Sequence, residues 1–517
     1  MNFEKVLKKL FKNKIFIIFL FVVLYLILYY DFYMCDFISG DEAYQLSLIK
    51  WPFSKIIYYC SVDYHVPLFA ILTKIFSYLP FTEIFTSRLL LSLIVIAHFV
   101  IAFFPIERLT NRKISLLYSS LFLLSPILIY FVMQIRMYSL ADLNLLCVLI
   151  YSLLVIKYDK KSDWIKLIIV SILACYSFLL TTFITFMIFG ICFLYCFLKK
   201  EYKKMKKFLL CFIVVFCFFV PWLPTLFKQL LNVQSTRYWR WFPGSINFVL
   251  EIISIFIINH LGGLFISFEV YSINLVLILL IIVAYIYNIF ILKKKIKNDN
   301  NIKISYLIAI LSFLVILLYT YFNKTFAVRY FSIIYSLFLF SIVYYFYNNI
   351  NSFIKSAFII FILCFCVNYY FTYNCIFKSI NNLDSMSDKI KNNSLSDEDI
   401  VIYHPFETSL EILGYKYLND YKHFIVYDNY CKEQKNVLRD YSLFGDNVNV
   451  LNNVKDITKY TNKFYLINAI YDVETSSDCM FDLFDEFNWN YKSVDKYYSG
   501  YNGDIYELYL IEVSEER

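Results

Sequence analysis

The chain has 517 residues, 60% of them hydrophobic and 21% aromatic, with a formal net charge of +8 and a mean hydropathy of +0.61. This excludes an ordinary water-soluble domain, because the apolar residues fall in repeated runs of the roughly 20 residues that cross a bilayer. It also calls for no nucleic-acid partner, since the basic residues sit in short connections between those runs, where membrane topology uses them.

The first run, Ile15 to Tyr30, follows a Lys-rich start but has no small-residue cleavage site before Asp31. A retained first helix is therefore expected, not a cleaved signal. Candidate spans are Lys14–Tyr30, Phe85–Pro105, Ile114–Met133, Tyr138–Ile156, Ile165–Thr181, Phe183–Leu198, Phe208–Leu226, Ile273–Leu292, Ile304–Phe322, Tyr330–Tyr347 and Ala357–Tyr373. The expectation is a polytopic α-helical membrane protein of about 11 helices. Basic clusters at Lys5 to Lys14, Arg108 to Lys113, Lys157 to Lys161, Lys199 to Lys207 and Lys293 to Lys297 occupy every second connection. The positive-inside rule assigns these to the cytoplasm, which puts the N-terminus inside and the C-terminus outside a plasma (inner) membrane.

A change in charge marks a boundary near Cys375. Residues 376–517 hold 14 Lys and Arg against 25 Asp and Glu, whereas the preceding residues are strongly basic. The expected organisation is a transmembrane domain over 1–375, with a first external loop over 31–82, and a small extracytoplasmic α/β domain over 376–517. In that outer domain Ile400–Tyr403, His423–Tyr427, Lys463–Ile470 and Asp504–Val513 are predicted strands, with β-branched and aromatic residues clustered between turn-formers. Glu407 to Tyr421 has helical spacing. No Gly-rich phosphate loop occurs in it.

Eight of the thirteen cysteines lie in predicted spans, where cysteine behaves as a small apolar residue. Cys35 with Cys60, and Cys431 with Cys479, are candidate external disulfides, and no spacing resembles a zinc ribbon.

Ser39-Gly40-Asp41-Glu42-Ala43-Tyr44 places two adjacent carboxylates where the chain leaves the first span. Charge so close to hydrocarbon is rarely kept without a partner or a task, although a solvated loop start would look the same. Three further groups fall on the same outer face. One is Asp63-Tyr64-His65-Val66-Pro67-Leu68. A second is Gln134-Ile135-Arg136-Met137-Tyr138-Ser139-Leu140-Ala141-Asp142, whose Asp142 should face the protein interior because a lipid-facing carboxylate is costly. The third is Arg329-Tyr330, near Lys324, where an arginine could equally snorkel to the interface. Transfer of a sugar from a lipid phosphate needs a base for the acceptor hydroxyl and cations for the departing phosphate, at a face the lipid can reach. Carboxylates and arginines at one face supply both.

Over residues 10–350 this arrangement resembles the GT-C superfamily of integral-membrane glycosyltransferases, in the branch of protein O-mannosyltransferases and lipid A aminoarabinose transferases. The resemblance is carried by Asp41 to Tyr44, His65 to Leu68, Arg88 at the opening of the second span, Ser125-Pro126, Gln134 to Asp142, and Arg329-Tyr330. It implies an inverting transfer of a hexosyl or pentosyl unit from a polyprenyl-phosphate sugar to an extracytoplasmic protein, lipid or cell-envelope glycan. It also implies that Asp41, with Glu42 beside it, is the essential acid of the first external loop, and that Asp142 after Tyr138 is the second acid. Arg136, Arg329 and Lys324 become the donor-phosphate contacts, with Tyr44, His65, Arg88, Tyr138 and Tyr330 lining the substrate cavity. Some relatives bind a divalent metal, to which Glu42 and His65 could contribute, but two candidates do not define a coordination sphere. Two other readings stay open: a transporter or flippase for a lipid-linked sugar, and a catalytically inactive membrane scaffold.

Overall fold

The computed structural model describes residues 13–35, 38–63, 65–125, 127–232, 300–323, 329–346, scattered positions from 362 to 381, 399–404, 422–426, 448–451, 453–470, 477–498 and 505–513. The predicted span Ile273–Leu292 and the predicted helix Glu407 to Tyr421 lie outside them, as does most of Ala357–Tyr373.

In chain order the helices are α1 (Lys14–Met34), α2 (Gly40–Leu48), α3 (Phe53–Val62), α4 (Leu68–Phe76), α5 (Glu83–Leu109), α6 (Arg112–Leu123), α7 (Ile127–Met133), α8 (Tyr138–Tyr158), α9 (Lys161–Ser177), α10 (Leu179–Leu198), α11 (Tyr202–Gln229), α12 (Asn300–Asn323), α13 (Arg329–Ser332) and α14 (Tyr335–Phe346). Six of them (α1, α5, α8, α10, α11 and α12) are long and apolar enough to cross a bilayer, and α6 with α7 makes a seventh candidate, bent by 68°. This is the polytopic helical architecture expected from composition. Among the described residues six or seven spans pass this test; α9 has 17 residues, and α14 has 12 up to the point where the described residues stop.

The helix limits follow local chemistry. Thr82 Oγ1 accepts the Phe85 N–H at the start of α5, and Asn111 Oδ1 accepts the Ile114 N–H at the start of α6, each satisfying an otherwise orphaned donor. Pro105 sits in a π-helical turn, Ala102–Ile106, which lets α5 run on to Leu109. Asp159 ends α8 in the left-handed region at φ 49°. A single extended residue, Phe178 (φ −161°), separates α9 from α10.

Two compact units result, one of residues 1–34, 65–230 and 240–371, the other of 35–64, 231–239 and 372–517. In the first, α8 is the central helix, buried along almost its whole length and packed on α5, α9, α10 and α14. Outer helices expose large apolar side chains such as Leu194, Phe197, Leu209, Leu210 and Ile213, the surface that lipid requires. Polar groups inside are paired between helices: Tyr25 with Ser92 (2.9 Å), Asn144 with Ser177 (2.7 Å), and the Ser341 hydroxyl with the Ser305 carbonyl (3.1 Å).

Basic connections meet at one end of this unit. Lys14 and Arg112 pair with Glu107, Arg108 pairs with Asp163 at 2.6 Å, and Lys207 with Asp159 at 2.7 Å. Lys157 donates to the Leu109 carbonyl and Lys204 to that of Ile156. Burial raises the Asp159 carboxyl, but hydrogen bonds from Lys207 and Trp164 and the Lys207 and Lys204 charges outweigh it and hold the group below the usual carboxylate range.

The second unit contains α2, α3 and a six-stranded sheet: β1 (Ile400–His404), β2 (Lys422–Val426), β3 (Val448–Leu451), β4 (Lys463–Ile470), β5 (Asn490–Tyr498) and β6 (Ile505–Glu512), with α15 (Ser477–Glu486) between β4 and β5. Strand order is β3-β2-β1-β4-β6-β5, with β1 to β4 parallel and β6 and β5 antiparallel additions. The core of its α15 side joins Ile400, Ile402, Phe424, Phe464, Leu466 and Ile511 to Met480, Leu483 and Phe484 of the helix. Four of the six strands coincide with predicted runs. The two missed are β3, only four residues long, and β5, an edge strand with polar residues and a bulge between Ser493 and Asp495.

Candidate functional site

At the end of the first unit away from the basic connections, predicted site residues come together. Arg136, buried just before α8, donates through Nη2 to Nε2 of His65. A guanidinium only donates, so His65 Nε2 is the acceptor in this pair. Nearby, Tyr138 packs edge-on against Phe178 (5.7 Å between ring centroids), Phe178 against Tyr330 (5.9 Å), and Tyr330 against Tyr319 (6.0 Å). The aromatic string links the start of α8, the α9–α10 joint, the end of α12 and α13. Arg329 precedes Tyr330 on α13 and is half-buried. Arg88 is completely buried in α5. Lys324 lies outside the described residues.

Asp142 faces the interior, as expected, with no solvent exposure. Its Oδ1 accepts the Ser336 backbone N–H at 2.8 Å and its Oδ2 accepts the Ser336 hydroxyl. His98 of α5 brings Nε2 to 3.8 Å from Oδ2, while its Nδ1 lies 3.3 Å from the Tyr118 hydroxyl and 3.5 Å from Ser336 Oγ. Four helices (α5, α6, α8 and α14) therefore meet at one polar knot. Sequence reading missed His98, Tyr118 and Ser336. The signal for His98 was an isolated histidine inside an apolar run, which is costly in lipid without a partner.

Asp41, Glu42 and Tyr44 belong to the second unit, in α2. Glu42 is buried, and its Oε2 accepts the Ser39 N–H at 2.7 Å, the return bond of a capping box. The Ser-x-x-Glu spacing that signals this was present in the sequence. Asp41 is half-buried in the first turn, where a helix N-terminus favours negative charge. Tyr44 is buried.

Among the described residues no three His, Cys, Asp or Glu side chains gather at metal-ligating spacing. Among the described residues, therefore, Glu42 and His65 gain no third ligand.

A central buried helix, shorter broken helices around it and a mixed sheet in a second unit define a polytopic helical membrane fold. The fold is shared with ArnT from Cupriavidus metallidurans bound to undecaprenyl phosphate, a crystal structure that superposes with a TM-score of 0.58 over 95% of this chain and 97% of that one, at 11% sequence identity. The apo state of the same protein superposes with a TM-score of 0.49 at 12% identity, over the same shares of the two chains. No protein-family model matches the sequence, and no curated protein sequence does.

Proposed function

We propose that this chain is an integral-membrane glycosyltransferase that moves a hexosyl or pentosyl unit from a polyprenyl-phosphate donor to an extracytoplasmic protein, lipid or envelope glycan. The convergence of Arg136 and His65 with Tyr138, Phe178 and Tyr330 at one end of a bundle with the ArnT fold carries this reading. The solved ArnT holds undecaprenyl phosphate, and a buried arginine beside aromatic rings suits a phosphate on an isoprenoid chain. In this reading the N-terminus and the knitted basic end face the cytoplasm of an inner membrane. Residues 376–517 then form the outer domain.

The reaction is a displacement with inversion. The acceptor hydroxyl oxygen attacks the anomeric carbon, the bond from that carbon to the phosphate oxygen breaks, and the phosphate leaves on its lipid. Asp41 takes the hydroxyl proton, while Arg136, Arg329 and Lys324 hold the developing phosphate charge. Glu42 holds the start of α2 and thereby Asp41. Asp142 holds α8 against α14 and thereby orients Arg136 and Tyr138.

A lipid-linked-sugar transporter would also bury polar groups within its bundle. Both Asp142 oxygens are engaged by Ser336, which favours a fixed brace over a travelling ion. The deciding experiment is transfer of labelled sugar from defined polyprenyl-phosphate donors by purified protein in liposomes. Movement of the donor across the bilayer without transfer would replace this reading with the transporter.

A further inference from the structure

The outer sheet contains a feature that transfer chemistry at the membrane end does not use. Its parallel strands run in the order β3-β2-β1-β4, so the chain leaves β1 towards β2 and leaves β4 towards β6 and β5. The direction of winding therefore reverses between β1 and β4. In open α/β sheets the crevice at the carboxyl ends of the two strands flanking such a reversal is where ligands bind.

Two polar residues occupy those ends. His404 closes β1 and is the register partner of Asn468 near the end of β4. By strand alternation they continue the inward rows Ile400–Ile402–His404 and Phe464–Leu466–Asn468, so each apolar row ends in a polar side chain. Both are buried, at 1% exposure. The His404 Nδ1–H donates to Asn468 Oδ1 at 3.2 Å, which turns the Asn468 amide so that Nδ2 points away from the bond. Asn468 Nδ2 then has no hydrogen-bond partner among the described residues. Buried amide donors are rarely left so in native proteins, and each instance calls for a ligand, a water or a catalytic use.

The charge of the site narrows the ligand. Burial lowers the His404 imidazole to about 4, with the Asn468 bond opposing, so the ring is neutral at neutral pH. No Lys or Arg lies in the last three residues of either strand, Ile402–His404 and Asn468–Ile470. Among these described strand-end residues a phosphate or nucleotide meets no cation, whereas a hydroxyl or carbonyl oxygen matches a neutral amide donor.

The geometry points to a small-molecule subsite at the carboxyl ends of β1 and β4, in which the Asn468 amide, oriented by His404, donates to an oxygen of a neutral saccharide unit of the acceptor. The choice of a saccharide rests on the glycosyltransferase reading; the subsite itself rests on the sheet alone.

The test uses the full chain in nanodiscs and saturation-transfer NMR with methyl glucoside, methyl mannoside and N-acetylglucosamine, and with ADP as the anionic probe. At least one saccharide should receive saturation, and Asn468→Leu should weaken that signal by about five- to tenfold, the value of one lost neutral hydrogen bond. Arg136→Ala should leave it unchanged. Should Asn468→Leu melt earlier than the parent, Asn468→Gln replaces it, with the donor displaced by one methylene and the same direction of change expected. No saccharide signal, a signal indifferent to both Asn468 variants, or a response to ADP alone overturns the subsite. Donor turnover on the same preparations separates the two proposals. Transfer that persists without saccharide binding removes only the subsite, and saccharide binding without transfer removes only the enzyme reading.

Discussion

Arg136 donates to Nε2 of His65 across 71 residues of sequence, joining the connection before α8 to the residue that leads into α4. The bond fixes one edge of the guanidinium and so orients its remaining N–H groups. If the donor phosphate is their target, Arg136→Ala should make donor use about ten- to hundredfold poorer, the value of a lost charge-assisted contact. His65→Ala should cost less, and the double variant should cost little more than Arg136→Ala, because His65 acts through Arg136. Initial rates of transfer against donor concentration check this, and full additivity would refute the coupling.

The two adjacent acids of α2 should respond differently to removal of charge. Asp41→Asn keeps size but loses the proton acceptor, so turnover should fall by about 10²-fold or more while donor still binds. Glu42→Gln keeps an oxygen for the Ser39 N–H and should cost little, whereas Glu42→Ala removes the return half of the capping box and should cost about 1 kcal/mol. Turnover and thermal melting on correctly inserted protein separate the two, and near-normal transfer by Asp41→Asn would remove Asp41 from the chemistry.

The Asp142–Ser336 pair should behave as a structural joint. Ser336→Ala removes a hydroxyl partner from a fully buried carboxyl group and should destabilise the membrane unit by about 1–3 kcal/mol. Asp142→Asn should retain most of that stability, since the serine hydroxyl can reverse its role and accept from the new amide. Thermal melting in nanodiscs is the readout, and equal loss in both variants would show that the carboxyl group itself is needed.

The six-stranded sheet should weaken in acid through His404. In the unfolded chain this imidazole takes a proton near pH 6.5, whereas in the sheet burial holds it neutral down to about 4. Stability is therefore full above pH 6.5 and is lost as pH falls towards 4, by about 2–3 kcal/mol at pH 4.5. Pulse proteolysis of the sheet in urea at pH 7 and pH 4.5 measures this. His404→Gln, which cannot titrate, should flatten the dependence, and an unchanged slope in that variant would assign the acid sensitivity elsewhere.

Membrane class, the positions of most spans and four of the six strands were legible in the sequence because each is set locally. Apolar runs near 20 residues, alternation of charged connections and clusters of β-branched and aromatic residues act over short windows, and hydrocarbon or a sheet face enforces them. The inward orientation of Asp142 was legible for the same reason, since lipid tolerates no other.

What the tertiary structure decided are the partners. Nothing local shows that Asp142 meets Ser336 194 residues away, that Arg136 meets His65, or that Tyr138 and Tyr330 touch a common ring at Phe178. Those contacts depend on which helices pack side by side, and packing is chosen by the summed fit of whole surfaces. The same holds for the sheet. Strand order, and with it the reversal that brings His404 beside Asn468, is a property of how parallel strands assemble, and no residue in either strand encodes it alone.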